Sequence, residues 1–268
     1  MCENIYTAAT SALFSRRRLL FLGATASLVP IVQACSNPVP NSPAAPTRSR
    51  PITGPDVPSS LPELVAASPA ANPPVPLLCR DSWGAREKRS GGRNHVLNRM
   101  TLHHSAITLE DNRQITSRLR EHQRNHQDQQ GWIDIAYHIA VDRRGNLFEL
   151  RSFDLVGDTA TDYDPTGHFL VLLEGNFDQE EVTQEQLNGA AVAFAWAAQA
   201  YGISTDTLVG HRDVPAATAC PGAHLEAYIT DGELKRRVNT LLANGPVKLE
   251  RTCGPEATAI VANIEAGR

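Results

Sequence analysis

Apolar positions come in short blocks from residue 99 onward, and their spacing alternates between two periods. Residues 99–104 (RMTLHH), 168–173 (HFLVLL) and 207–210 (TLVG) are apolar runs of strand length. Residues 137–141 and 147–150 are two further runs on either side of Asp142-Arg143-Arg144-Gly145-Asn146, a turn composition that predicts a hairpin. Between these runs the period lengthens. Ile115, Leu119, His122 and His126 recur on one face of a helix predicted over 112–129. Thr183-Gln184-Glu185-Gln186 reads as a capping box that opens a helix through Leu187, Phe194 and Tyr201. A last amphipathic helix is predicted over 225–242. Strands interleaved with helices predict an α/β domain with a central mixed β-sheet flanked by helices, the hairpin supplying the antiparallel pair. No element is assigned to the residues after 246.

The N-terminal third follows different rules. Residues 36–78 number 43 and include 12 prolines, a composition that cannot bury enough apolar surface to fold. At ~3.1 Å per residue in an extended polyproline form, such a tether reaches on the order of 100 Å. Ahead of it, Arg16-Arg17-Arg18 runs into an apolar stretch over 19–32, whose 14 residues fall short of a membrane-spanning helix. Basic, then apolar, then small is the layout of a secretory signal. The paired arginines resemble a twin-arginine signal, with general export as the alternative. Val32-Gln33-Ala34-Cys35 resembles a lipobox, which implies a lipidated Cys35 after cleavage; a plain cleavage site is the alternative. Ser36 resembles the pattern sorted to an outer membrane, facing the periplasm. The expected organisation is signal peptide with lipobox 1–35, linker 36–78, folded domain 79–245 and C-terminal tail 246–268.

Net charge changes the picture by exclusion. Twenty-five basic against 29 acidic residues give −4, with no clustered basic face of the kind that binds nucleic acid. Outside the leader stand three cysteines, Cys79, Cys220 and Cys253, so at least one is not paired within the chain. Cys79 and Cys253 flank the domain, and an exported chain permits a disulfide between them; two free thiols are the alternative. Cys220 sits nine residues after His211 in a loop closed by Pro221 and Gly222. With one of His103 and His104, these residues make a donor set suited to zinc, leaving a fourth position for water. Neighbours on a strand point to opposite faces, so only one of the two histidines reaches a given metal, and spacing does not say which.

Four blocks then fall in one order: Arg80-Asp81-Ser82-Trp83-Gly84-Ala85-Arg86; Leu102-His103-His104-Ser105; Gly131-Trp132-Ile133-Asp134-Ile135-Ala136-Tyr137-His138; and Gly210-His211-Arg212-Asp213-Val214 with Thr218-Ala219-Cys220-Pro221-Gly222. Together they resemble the peptidoglycan recognition proteins and the phage-lysozyme-type N-acetylmuramoyl-L-alanine amidases. The resemblance implies the type 2 amidase fold, Zn²⁺ on His103, His211 and Cys220, and catalytic roles for Tyr137 and Thr218. It implies hydrolysis of the amide between N-acetylmuramic acid and L-alanine, with peptidoglycan and muropeptides as partners. Non-catalytic members typically lack the cysteine, and this chain has it, so a binding receptor or wall tether is the alternative function. Gly131-Trp132 resembles the pair associated with diaminopimelate-type stem peptides; Trp132 as a core aromatic is the other reading. The chain departs from the family pattern at Thr159 and Asp164, where His and Asn are usual. Glu174 is a candidate general base whose other reading is structural. Asp213 is expected to orient the His211 loop.

Overall fold

A computed structural model describes residues 72–215 and 217–268. The expected signal, the lipobox and the linker up to residue 71 lie outside the described residues. The chain runs β1 (Val75–Leu78), β2 (Arg99–His104), α1 (Ile115–Asp128), β3 (Ile139–Val141), β4 (Leu147–Glu149), β5 (His168–Leu173), α2 (Gln184–Tyr201), β6 (Leu208–Gly210), α3 (Ala223–Thr230), α4 (Glu233–Ala243), β7 (Leu249–Thr252) and α5 (Gly254–Glu265). The strands form one seven-stranded sheet in the order β6-β2-β5-β3-β4-β1-β7. Only β3 and β4 run antiparallel, as the turn composition between them predicts. Asp142 closes that hairpin by accepting from the amides of Arg144 and Asn146, both at 2.9 Å.

Helices cover both faces. The apolar side chains of α2 and α4 pack with Met100, Leu102, Phe169, Val171 and Leu173 on one face. On the other, Ile115 and Leu119 of α1 and Ala257, Val261 and Ile264 of α5 pack with Leu78, Ala140, Phe148 and Leu172. Strand β5 lies centrally and is buried along its whole length, which is why its sequence is a continuous apolar run rather than an alternation. The capping box at Thr183 and Gln186 opens α2 as expected.

Two expectations need correcting. The helix predicted over 225–242 is two helices, α3 and α4. Gly232 adopts a left-handed φ of 76°, which an α-helix does not tolerate, and Asp231 then accepts from the Glu233 amide at 2.8 Å to start α4. The folded unit also extends past the bounds 79–245. Strand β1 starts at Val75, inside the expected linker, and the segment after 246 supplies β7 and α5. Strand β7 pairs parallel to β1 from Val75↔Leu249 to Leu78↔Thr252, and the Cys79–Cys253 disulfide locks the two ends together. Closing a sequence separation of 174 residues, such a bond contributes on the order of 2–5 kcal/mol, chiefly through the unfolded chain.

Two buried histidines stand at the start of the central strands, His138 just before β3 and His168 as the first residue of β5. His138 is fully buried, its Nδ1 taking the Leu170 amide at 3.0 Å and its Nε2 meeting the Leu155 carbonyl at 3.0 Å. Burial lowers its pKa to about 3, and burial lowers that of His168 to about 4. Both folded values lie below the unfolded value of 6.5, so the unfolded chain binds more protons as the pH falls. Stability is therefore full above about pH 6.5 and is lost as the pH drops towards 4. Urea unfolding of the chelated Glu226→Gln protein at pH 6.0, 5.5 and 5.0 should lose about 1.2 kcal/mol per pH unit from His138, with His168 adding in the same direction. The substitution removes a carboxyl whose pKa, held up at about 7, would otherwise offset the loss. A flat profile would mean that these rings accept protons without unfolding.

Candidate metal centre

Strand alternation decides between the two neighbouring histidines. Met100 and Leu102 of β2 belong to the α2 face, so His103 points to the α1 side, buried with 2% of its surface exposed. His104 points the other way: its ring stacks on Phe177 and its Nδ1 accepts the Phe177 amide at 3.3 Å. Strand β6 pairs with β2 at Leu102↔Gly210, and this register sets His211 beside His103, with ring centres 4.6 Å apart. Cys220 returns to the same point because the Arg212 amide donates to its carbonyl at 2.9 Å. The tight turn beyond it needs Gly222 (φ 90°), where a Cβ would lie 2.6 Å from the Phe177 carbonyl carbon.

His103, His211 and Cys220 are all buried, and one donor atom from each lies within 4.8 Å of the others. Cys220 Sγ is 3.7 Å from His103 Nδ1. Tetrahedral zinc with ordinary Zn–N and Zn–S bonds sets such a pair about 3.6 Å apart, so the donor set fits the ion. The His104 amide donates to Cys220 Sγ at 3.4 Å, an arrangement that favours the thiolate. Asp213 accepts from the Gly210 amide at 2.8 Å and fixes the His211 turn, as expected. Behind it, burial foremost and then the charge of Asp213 hold the pKa of Glu226 up at about 7.

The other expected residues divide. Tyr137 is half-buried, its ring 5.1 Å from that of His103. Its loop is held from below. The buried Arg151 donates to the carbonyls of Asp134, Ile135 and Val156 and pairs with Asp158. His126 Nδ1 accepts the Ala136 amide at 3.1 Å. Trp132 belongs to neither core; it is half-buried, with its ring 4.8 Å from that of His126. Thr218 stands on the ligand loop itself, its Oγ1 accepting the Cys220 amide at 3.1 Å. Asp164 is exposed, and hydrogen bonds from Thr166 hold its pKa down at about 2. Glu174 is fully buried and lies 2.8 Å from His122 Nε2, beneath α1, which is the structural reading.

Two residues near the metal centre escaped sequence reasoning. Thr161 Oγ1 lies 2.9 Å from His211 Nε2, and Tyr163 OH lies 3.5 Å from His103 Nε2. Both sit in the aperiodic loop before β5, where the one available signal was the departure from the family pattern at Thr159.

A family model described as N-acetylmuramoyl-L-alanine amidase matches residues 93–223. Peptidoglycan-recognition protein LB of Drosophila melanogaster is 30% identical over 162 residues, 58% of this chain and 67% of that protein. The chain belongs to the N-acetylmuramoyl-L-alanine amidase family. Peptidoglycan-recognition protein SC1a of Drosophila melanogaster is 29% identical over 154 residues, 56% of this chain and 82% of that protein. Among solved structures, peptidoglycan recognition protein-LE in complex with tracheal cytotoxin, a monomeric diaminopimelic acid-type peptidoglycan, superposes with a TM-score of 0.53. The two are 27% identical over 58% of this chain and 92% of that one. All three candidate ligands fall inside the matched amidase span, while β1, most of α3, α4, β7 and α5 lie outside it.

Proposed function

We propose that this chain is a zinc-dependent amidase that hydrolyses the bond between N-acetylmuramic acid and L-alanine in peptidoglycan. One observation carries the reading: a buried His103–His211–Cys220 donor set with the half-exposed Tyr137 beside it. When bound there, zinc supplies Lewis acidity, polarising a carbonyl and making water a nucleophile near neutral pH.

The chain's own residues do the rest. The Tyr137 hydroxyl donates a hydrogen bond to the carbonyl oxygen as negative charge gathers on it, a contribution of about 3 kcal/mol when well placed. Its loop keeps that aim because Arg151 and His126 fix the backbone on either side. Thr218 acts through the ligand loop, orienting Cys220, and brings no positive charge of its own. The half-buried Trp132 offers a flat edge to the stem peptide, in keeping with a relative that binds diaminopimelic acid-type peptidoglycan. The leader and proline-rich segment support attachment through a lipidated Cys35, with the domain tethered within reach of the wall.

A second reading, a receptor that holds peptidoglycan without cutting it, is favoured by the recognition proteins among the relatives. Mass spectrometry of muropeptides incubated with the zinc-loaded protein separates the two. Release of stem peptides with an intact amino-terminal alanine, lost on chelation, is the expected result. Retention of muropeptide with no cleavage would replace the amidase with the receptor, and cleavage within the stem would make the chain a peptidase.

A further inference from the structure

The loop before β5 reaches the metal centre from the side opposite Cys220, and its contacts have a direction. His103 presents Nδ1 to Cys220, leaving Nε2 towards Tyr163. His211 Nε2 meets Thr161 Oγ1 at 2.9 Å, so a metal held by this ring would be bound through Nδ1. A neutral imidazole bound through Nδ1 carries its proton on Nε2, and the Nε2–H then donates to Thr161 Oγ1. Thr161 Oγ1 is 2.8 Å from Thr159 Oγ1, which also accepts the Thr161 amide at 3.1 Å. The hydroxyl proton of Thr161 thus has an acceptor, and the line runs His211 Nε2–H to Thr161 to Thr159.

We infer that Thr161 is a positioning residue for His211, held in line by Thr159, and that this two-threonine relay sets the tautomer and ring orientation the metal centre requires. Metal-binding histidines ordinarily donate their remote N–H to a carboxylate, a backbone carbonyl or water, and loss of that acceptor typically weakens the metal 10–100-fold. Here a hydroxyl takes that place. Thr159, at a position where the family pattern has histidine, supplies the acceptor that keeps the hydroxyl turned correctly. The ring of Tyr163 lies 4.8 Å from that of His211 and closes the same side of the site. The inference rests on the reading that His103, His211 and Cys220 hold zinc.

The test is zinc affinity of the full-length chain, measured by competition with a chromogenic chelator, together with the visible absorption spectrum of the cobalt-substituted protein. Thr161→Val keeps the shape and removes the hydroxyl; its zinc affinity should fall roughly 10–100-fold and its cobalt bands should shift. Thr161→Ser should restore both. Thr159→Val should weaken zinc by a smaller factor, giving a readout that does not depend on the folding of the Thr161 variant. Thermal unfolding of the chelated proteins separates a metal effect from a general loss of structure. Zinc affinity and cobalt spectrum unchanged in Thr161→Val would overturn the positioning role while leaving the zinc site standing. A wild-type chain that binds no zinc would overturn both.

Discussion

Replacing Cys220 by serine should cost the chain about 10³-fold in zinc affinity and, with it, the proposed amidase activity. A structural zinc site with four protein ligands carries an apparent binding free energy of roughly 10–16 kcal/mol, so one ligand accounts for about 2.5–4 kcal/mol, with an anionic one at the upper end. Cys220 is the anionic member of the set. Its sulfur is fully buried and receives the His104 amide, so an ionised thiolate has a prepared place. A serine hydroxyl keeps its proton at neutral pH and is shorter, and it meets neither requirement. Chelator competition gives the affinity and muropeptide mass spectrometry gives the activity. Cleavage that survives in metal-free Cys220→Ser protein would remove zinc from the mechanism. The chelated variant should unfold close to the chelated wild type, since the loop is also fixed by backbone bonds and by Gly222.

The second large effect is expected away from the metal. Glu174 is fully buried and His122 nearly so, 2.8 Å apart at the end of β5 under α1, without the alignment of a good hydrogen bond. Breaking a buried pair by removing one partner typically costs 3–5 kcal/mol, because the remaining group is stranded; replacing both by apolar residues is often neutral or stabilising. Glu174→Leu alone should therefore destabilise the protein by about 3–5 kcal/mol in urea unfolding at pH 7. Adding His122→Leu should recover most of that loss, and a double-mutant cycle reads the coupling directly. If the two losses simply add, the groups do not act as a pair. Muropeptide cleavage by the double variant should stay near the wild-type rate, which also tests the structural reading of Glu174 against a role as general base.

Much of this architecture was legible in local pattern. The runs 99–104 and 168–173 became β2 and β5 without a shift of boundary, because a strand buried in a sheet writes its burial into consecutive residues. The capping box at Thr183 was legible because both of its partners lie within one turn. The candidate ligands stood out by residue type, and the order of four motifs named the family before any geometry was known. Even the opposition of His103 and His104 followed from strand alternation.

What only the tertiary structure decided depended on groups far apart in the chain. The side on which His103 lies was settled by which helix covers which face, and its partnership with His211 by the register of β2 on β6. The helix predicted over 225–242 divides at Asp231-Gly232, a turn dipeptide legible locally that apolar periodicity passes over; only the packing of α4 on α2 needed the fold. Residues past 246 include Ala257, Ile260, Val261 and Ile264, a helical apolar spacing that was legible in sequence and went unread. They become a strand and a helix through pairing with β1 and the Cys79–Cys253 bond. Thr161 lies in an aperiodic loop, and a hydroxyl there is indistinguishable in sequence from any solvated threonine. Its meaning comes from an imidazole 2.9 Å away that belongs to a residue 50 positions later. Periodicity reports burial along a segment. The partners of a polar atom are set by the sheet register and loop paths that bring distant segments together.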